Sequence, residues 1–324
     1  MLHKKRAAYR AMGSLFFFLF LIGCAATPQS DRIIANIPEQ LIKPVELKQV
    51  PFYAQQKYQC GPAALAALLK HHDKVIDLDA LSKRVYIPAR KGSLQVELIT
   101  AAREYELIPY IIEPELQTLL KEVKAGNPVL VLQNLGVSWY PQWHYAVVVG
   151  FDLQERNVIL RSGTIQRYAM NLYTFEHTWR RSKRWGMLLL KPGALPAVNV
   201  SDSAWRYLQA IVGFEQKQNW DLLDTAYQAG LENWPGQTDL IMGYGNNLYQ
   251  QGNKLMALEQ YEKVIANNKA FAPAHNNAAQ VYAELGQFKK AIAYANKAIE
   301  LGGVHIQQFK STLKDILKMQ IQNK

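Results

Sequence analysis

The spacing of apolar residues changes part-way along the stretch 48–192. In 61–71, 78–86, 94–105 and 115–124 they recur at three- and four-residue intervals, the spacing of one helix face. Short continuous apolar runs follow at Pro128–Leu132, His144–Val149, Asn157–Leu160 and Gly186–Leu190. Their length and β-branched content predict strands. Helices early and strands late predict an α+β domain on an antiparallel sheet. Beyond residue 204 the helical spacing returns and persists. The polar stretch 193–203 reads as a linker, and residues 24–47, poorly periodic and broken by Pro28, Pro38 and Pro44, read as a tether.

The helical part repeats. Gly252 and Gly286 stand 34 residues apart, as do Ala257 and Ala291, and Tyr249 keeps phase with Ala283. The clearest unit, 272–305, has small residues at Ala278, Ala279, Ala291 and Ala298, an aromatic at Tyr282 and a turn glycine at Gly286. Unit 238–271 keeps Gly245, Gly252, Ala257 and Tyr261, and unit 204–237 keeps Phe214, Tyr227 and Pro235. Small residues at those points let two helices cross closely. The pattern resembles the tetratricopeptide (TPR) family, whose period is about 34 residues. That resemblance implies an all-α solenoid over 204–321, with 306–321 as a capping helix. Its concave surface would take an extended or helical segment of a protein partner.

The first 23 residues carry a basic start (Lys4, Lys5, Arg6, Arg10) and an apolar run from Leu15 to Ile22. The run is too short to span a bilayer as a helix, which needs about 20 residues. Leu21-Ile22-Gly23-Cys24 resembles a bacterial lipobox, which implies cleavage of 1–23 and acylation of Cys24. Ala25 is compatible with sorting to the outer membrane. The expected location is the cell envelope, lipid-anchored and facing the periplasm, with the membrane contacted through that lipid.

The formal charge is +11, and removing the signal, which holds four cations and no acids, leaves +7. The basic residues are dispersed except in Trp179-Arg180-Arg181-Ser182-Lys183-Arg184-Trp185. That cluster reads as a solvated helix face or as a contact for anionic headgroups or an acidic substrate. No nucleic-acid module, Walker-type loop, Gly-x-Ser-x-Gly elbow or Rossmann glycine set is present, so no nucleic-acid partner and no cofactor is expected. His71 and His72 are neighbours on a helix end and face different ways, unlike a metal pair. No metal site is expected.

With Cys24 consumed by lipid, Cys60 is the one remaining thiol. It stands before Gly61-Pro62 and an Ala/Leu-rich helical stretch, hence at a helix N-terminus. There the dipole favours thiolate, the nucleophilic form. The segment Val50-Pro51-x-x-x-Gln55, a short spacer and Cys60-Gly61-Pro62-Ala63-Ala64-Leu65 is followed by His144-Tyr145-Ala146-Val147-Val148-Val149-Gly150. These two motifs, in this order, resemble the bacteriocin-processing branch of the papain-like cysteine peptidases. Its members cut leader peptides after a double glycine.

That resemblance implies a papain-like domain over 48–192 and a peptide or protein substrate. Cys60 would be the nucleophile, His144 its general base, and the Gln55 amide an oxyanion donor beside the Cys60 N–H. Gln56 and Gln59 compete with Gln55, but the phase of the motif selects Gln55. Relatives carry Asp or Asn on the strand after the histidine strand. Counting along Val158–Thr164 places Ser162 there, as an orienter of the ring. Asp152 is the nearest acid in sequence and is expected at a hairpin turn. Trp139, Tyr140 and Trp143 either wall a peptide groove or pack elsewhere.

The expected function is a membrane-anchored cysteine peptidase with TPR repeats for protein binding. Two alternatives accompany it: a peptidase-like adaptor that has lost turnover, and an acyl transferase whose thioester is resolved by an amine or thiol.

Overall fold

The computed structural model describes residues 27–54 and 59–323. The expected signal, the expected lipidation site Cys24 and the expected oxyanion donor Gln55 lie outside these residues. The chain forms two compact units, one from residues up to Leu98 with Ile112–Leu188, the other from Ile99–Ile111 with Leu189 onward.

In chain order the elements are α1 (Pro28–Ala35), β1 (Val45–Glu46), α2 (Cys60–His71), α3 (Leu78–Val85), α4 (Gln95–Glu104), β2 (Ile108–Ile111), α5 (Leu116–Lys124), β3 (Val129–Asn134), β4 (Trp143–Asp152), β5 (Asn157–Ser162), β6 (Ile165–Asn171), α6 (Leu172–Arg180) and β7 (Gly186–Leu190). β7, β3, β4, β5 and β6 lie side by side in that order, with β1 added to β4. Every pairing of β3, β4 and β5 is antiparallel, as the apolar runs predict. The core is fully buried along β3, where all six residues are inaccessible, and along the apolar α2.

Residues 28–47 are not a tether. Pro28 opens α1, and the buried Glu176 carboxylate of α6 accepts from the backbone N–H groups of Gln29 (3.2 Å) and Ser30 (2.7 Å). A helix N-terminus leaves such donors unpaired, and an acid there satisfies them. The Gln29 side chain then accepts from the Leu116 N–H at the start of α5 (2.7 Å) and donates to Pro114 O (3.2 Å). β1 pairs Val45 with Phe151 and Glu46 with Gly150. Local composition hides these bonds because each partner lies far away in sequence.

The second unit continues with α7 (Ser203–Ile211), α8 (Trp220–Asn233), α9 (Thr238–Gln250), α10 (Lys254–Asn267), α11 (Ala272–Glu284), α12 (Phe288–Leu301) and α13 (Ile306–Gln322). Ala257, Ala278, Ala279, Ala291 and Ala298 are buried where helices cross, and Gly252 and Gly286 turn the chain between helices at φ of +83° and +73°. That left-handed region suits glycine. Phe309 of α13 closes a small core with Ala272 and Ala298.

Two boundaries depart from the sequence reading. The run 99–111 belongs with the helical unit, where β2 packs on α7 and Asn219 donates to Glu106 at 3.2 Å. The linker is partly tied down: Asn199 accepts from the Trp234 indole at 2.9 Å, and Ser203 is fully buried.

Candidate active site

Cys60 is the first residue of α2. Its preceding residue, Gln59, offers no side-chain cap, Pro62 has no N–H, and Ala63 N–H already bonds Gln59 O. The unpaired donors of this helix end are therefore the N–H groups of Cys60 and Gly61. These two groups and the Tyr145 backbone N–H of β4 favour the thiolate of Cys60, Tyr145 most of the three. Tyr145 is the residue after His144, so the start of the histidine strand contributes to the field at the sulfur.

Gly61 is required by a close approach. A Cβ there would lie 2.6 Å from Ser93 Oγ. The same Ser93 takes the Tyr145 hydroxyl on its carbonyl (3.3 Å), and the Tyr145 ring meets Trp185 edge-on. The loop 91–93, the helix end and β4 thus close around the sulfur. No sequence signal marked Ser93.

His144 and Ser162 share a face of the sheet. Val148 opposes Leu160, and each residue lies an even number of steps from that pair. Ser162 is diagonal to the histidine, a spacing a long side chain bridges. The imidazole Nε2 meets Ser162 Oγ at 2.9 Å, and Ser162 is only 8 % exposed. Among the described residues this serine is the ring's hydrogen-bond partner. Arg161, its neighbour on β5, donates to Val50 O (3.2 Å) and so pins the segment that leads to Gln55. Asp152 caps the β4–β5 turn by accepting from the N–H groups of Gln154 and Glu155.

The electrostatics oppose the thiolate expected from the helix end. Burial pushes the Cys60 thiol up, and its three N–H donors offset this only in part. Burial also pulls the His144 imidazole down. Both shifts penalise the charged forms. The helix dipole is present, but desolvation outweighs it.

Residues 47–187 match the Peptidase C39 like family, and residues 272–302 match the tetratricopeptide repeat. The chain carries a C39-peptidase-like domain followed by TPR repeats. A C39-like peptidase from Bacillus anthracis is 18 % identical with a TM-score of 0.39, over 46 % of this chain and 98 % of that one. A double glycine motif protease from an AMS/PCAT transporter, solved with the leader peptide, is 24 % identical with a TM-score of 0.34, over 46 % and 96 %. In the helical part, the Yersinia enterocolitica type III secretion translocator chaperone SycD is 16 % identical with a TM-score of 0.34, over 37 % and 87 %. No curated protein matches the chain.

In the C39-like domain the hydroxyl at 162 has a chemical consequence. A carboxylate accepts only, and so forces the proton onto Nε2 and leaves the other ring nitrogen as a base. Ser162 both donates and accepts, so it orients the ring without fixing the tautomer. It also brings no charge to stabilise imidazolium. His71 and His72 stack edge-on at 5.2 Å at the end of α2, and no cluster of three metal-ligating side chains occurs among the described residues. Trp139 and Tyr140 are exposed on the β3–β4 connection, and Trp143 at the start of β4. In the repeats, a cavity of about 450 Å³ is lined by Asn246, Tyr249, Tyr261, Asn277, Gln280 and Gln308, among others.

Proposed function

We propose that this protein is a cell-envelope cysteine peptidase, held at a membrane by lipid on Cys24, whose C39-like domain cuts a peptide substrate through Cys60. What supports the reading is that Ser162 meets the His144 imidazole at 2.9 Å, while the backbone N–H of Tyr145, the next residue on the same strand, favours a thiolate at Cys60. In this reading Cys60 at the start of α2 and His144 on β4 form the nucleophile–base pair, each carried on its own regular element.

From a neutral resting pair the route is general-base attack. The imidazole takes the S–H proton as sulfur bonds the carbonyl carbon, and the C=O electrons move to oxygen. That oxyanion draws on the Cys60 N–H and on the Gln55 amide. Collapse breaks the C–N bond, and the imidazolium gives its proton to the leaving amine. Water, deprotonated by the same ring, then hydrolyses the thioester and frees the thiol. The TPR repeats bind a protein or peptide partner at the amide-lined cavity around Asn246 and Asn277.

A second reading is favoured by the hydroxyl at 162 and the raised thiol: a peptidase-like adaptor without turnover. Mass spectrometry of envelope peptides from wild-type and Cys60→Ala cells separates the two. Peptides that accumulate uncut in the variant support the peptidase. Unchanged peptides and an intact cellular effect support the adaptor.

A further inference from the structure

The β3–β4 connection, with the first residue of β4, exposes Leu135, Val137, Trp139, Tyr140 and Trp143 within nine residues, Trp139 at 86 % and Tyr140 at 63 %. It is tightly held. Asn134 Oδ1 accepts from the N–H groups of Gly136 (3.0 Å) and Gln142 (2.9 Å), and Leu135 N–H donates to Gln142 O (2.9 Å). The Arg181 guanidinium donates to the carbonyls of Gly136 and Asn134. Folding gains nothing from apolar surface fixed in water, so such a patch marks a contact.

Arg181 belongs to the basic run Arg180, Arg181, Lys183 and Arg184, and neither 177–188 nor 132–151 contains an acid. Arg184 pairs with Glu176 at 3.5 Å, and Glu176 holds the first turn of α1. An unbroken line of contacts therefore joins the aromatic hairpin, the basic turn and Gln29. Cys24 lies five residues before Gln29, a reach of about 18 Å at most.

We propose that hairpin 135–143 and turn 180–184 rest on an anionic lipid bilayer. The orientation rests on the membrane-anchoring reading given above. Tryptophan and tyrosine settle at the headgroup level, and lysine and arginine favour anionic lipid. An acyl anchor with a basic patch is a two-signal attachment. Because Trp143 precedes His144, the contact sets this end of the active site at the membrane surface. Its substrates are then peptide segments presented at that surface.

The full lipidated chain in phosphatidylglycerol/phosphatidylethanolamine vesicles with brominated acyl chains provides the test. Wild-type tryptophan fluorescence is quenched, and the Trp139→Ser/Tyr140→Ser variant loses at least about half of that quenching. Lys183→Glu, or vesicles without anionic lipid, weakens retention of the unlipidated Cys24→Ser chain about fivefold. Near-UV circular dichroism checks that each variant is folded. Equal quenching in wild type and the double variant overturns the proposal. So does unchanged quenching with lost cleavage of a soluble peptide, which assigns the aromatics to a peptide groove. The mass of the N-terminal peptide reads the anchor separately. If Cys24 bears no lipid, the anchoring reading fails, while vesicle retention that depends on Trp139 and Tyr140 still supports the surface.

Discussion

The side-chain hydrogen bonds that tie elements together span very different distances along the chain in the two units. In the C39-like unit Glu176 reaches back to Gln29, Arg161 to Val50, and Gln133 forward to Thr178 (2.7 Å), so each bond closes a long loop. In the repeats Tyr261 and Asn277 both bond Asn246, Asn247 bonds Asp224, and Tyr249 bonds Glu284, all between successive or next-but-one helices. A site assembled from distant strands needs the whole unit in place. A solenoid needs only the next repeat. Catalysis fits the first kind of architecture and extended recognition fits the second.

The comparison breaks most sharply at the sulfur. Cys60→Ala should abolish peptide cleavage, a loss of at least about 10³-fold, and His144→Ala should lose about 10²–10⁴-fold. Both are measured as kcat/KM on a synthetic peptide, with binding at the TPR repeats unchanged. Equal loss of partner binding would join what the comparison separates.

Ser162→Asp sharpens it. An acceptor-only, charged partner fixes the tautomer and favours imidazolium, so kcat/KM should rise about tenfold, the worth of one pKa unit. The alkylation rate of Cys60 against pH gives the independent sign. In wild type the thiol is raised, so iodoacetamide reactivity should climb only above the usual thiol range of about 8.5. In Ser162→Asp the midpoint should fall. The kcat/KM profile should lose activity on the acid side only below the usual histidine range of about 6.5, because His144 is depressed and works as the neutral base. A wild-type thiol that alkylates fully at pH 6 would falsify the neutral resting pair.

Stability effects are smaller and test how far each perturbation spreads. Glu176→Ala strands Arg184 and two N–H groups at a fully buried position, and should cost about 3 kcal/mol across the whole first unit in urea unfolding. Ala291→Leu overpacks one crossing in the repeats and should cost about 1–3 kcal/mol, with hydrogen exchange rising only in the adjoining helices. Asn246→Ala should cost about 1 kcal/mol, for two lost hydrogen bonds. Exchange that spreads evenly through both units would erase the distinction.

The sequence by itself determined what is periodic or contiguous. The 34-residue phase fixes the helix pairs of the repeats, because each small residue need only face its sequence neighbours. Apolar runs fix β3, β4, β5 and β7, and two contiguous motifs mark Cys60 and His144 as the pair to examine. Even Ser162 was reachable by counting along a strand, since pleating alternates faces regularly. Tertiary structure alone decided what depends on non-local contact. It folded residues 28–47 into the first unit through Glu176, placed Ser93 against Gly61, and moved 99–111 to the helical unit. It also set burial against the helix dipole at Cys60. A helix dipole can be read from one segment, but desolvation is set by everything packed around the sulfur, and no local pattern encodes that.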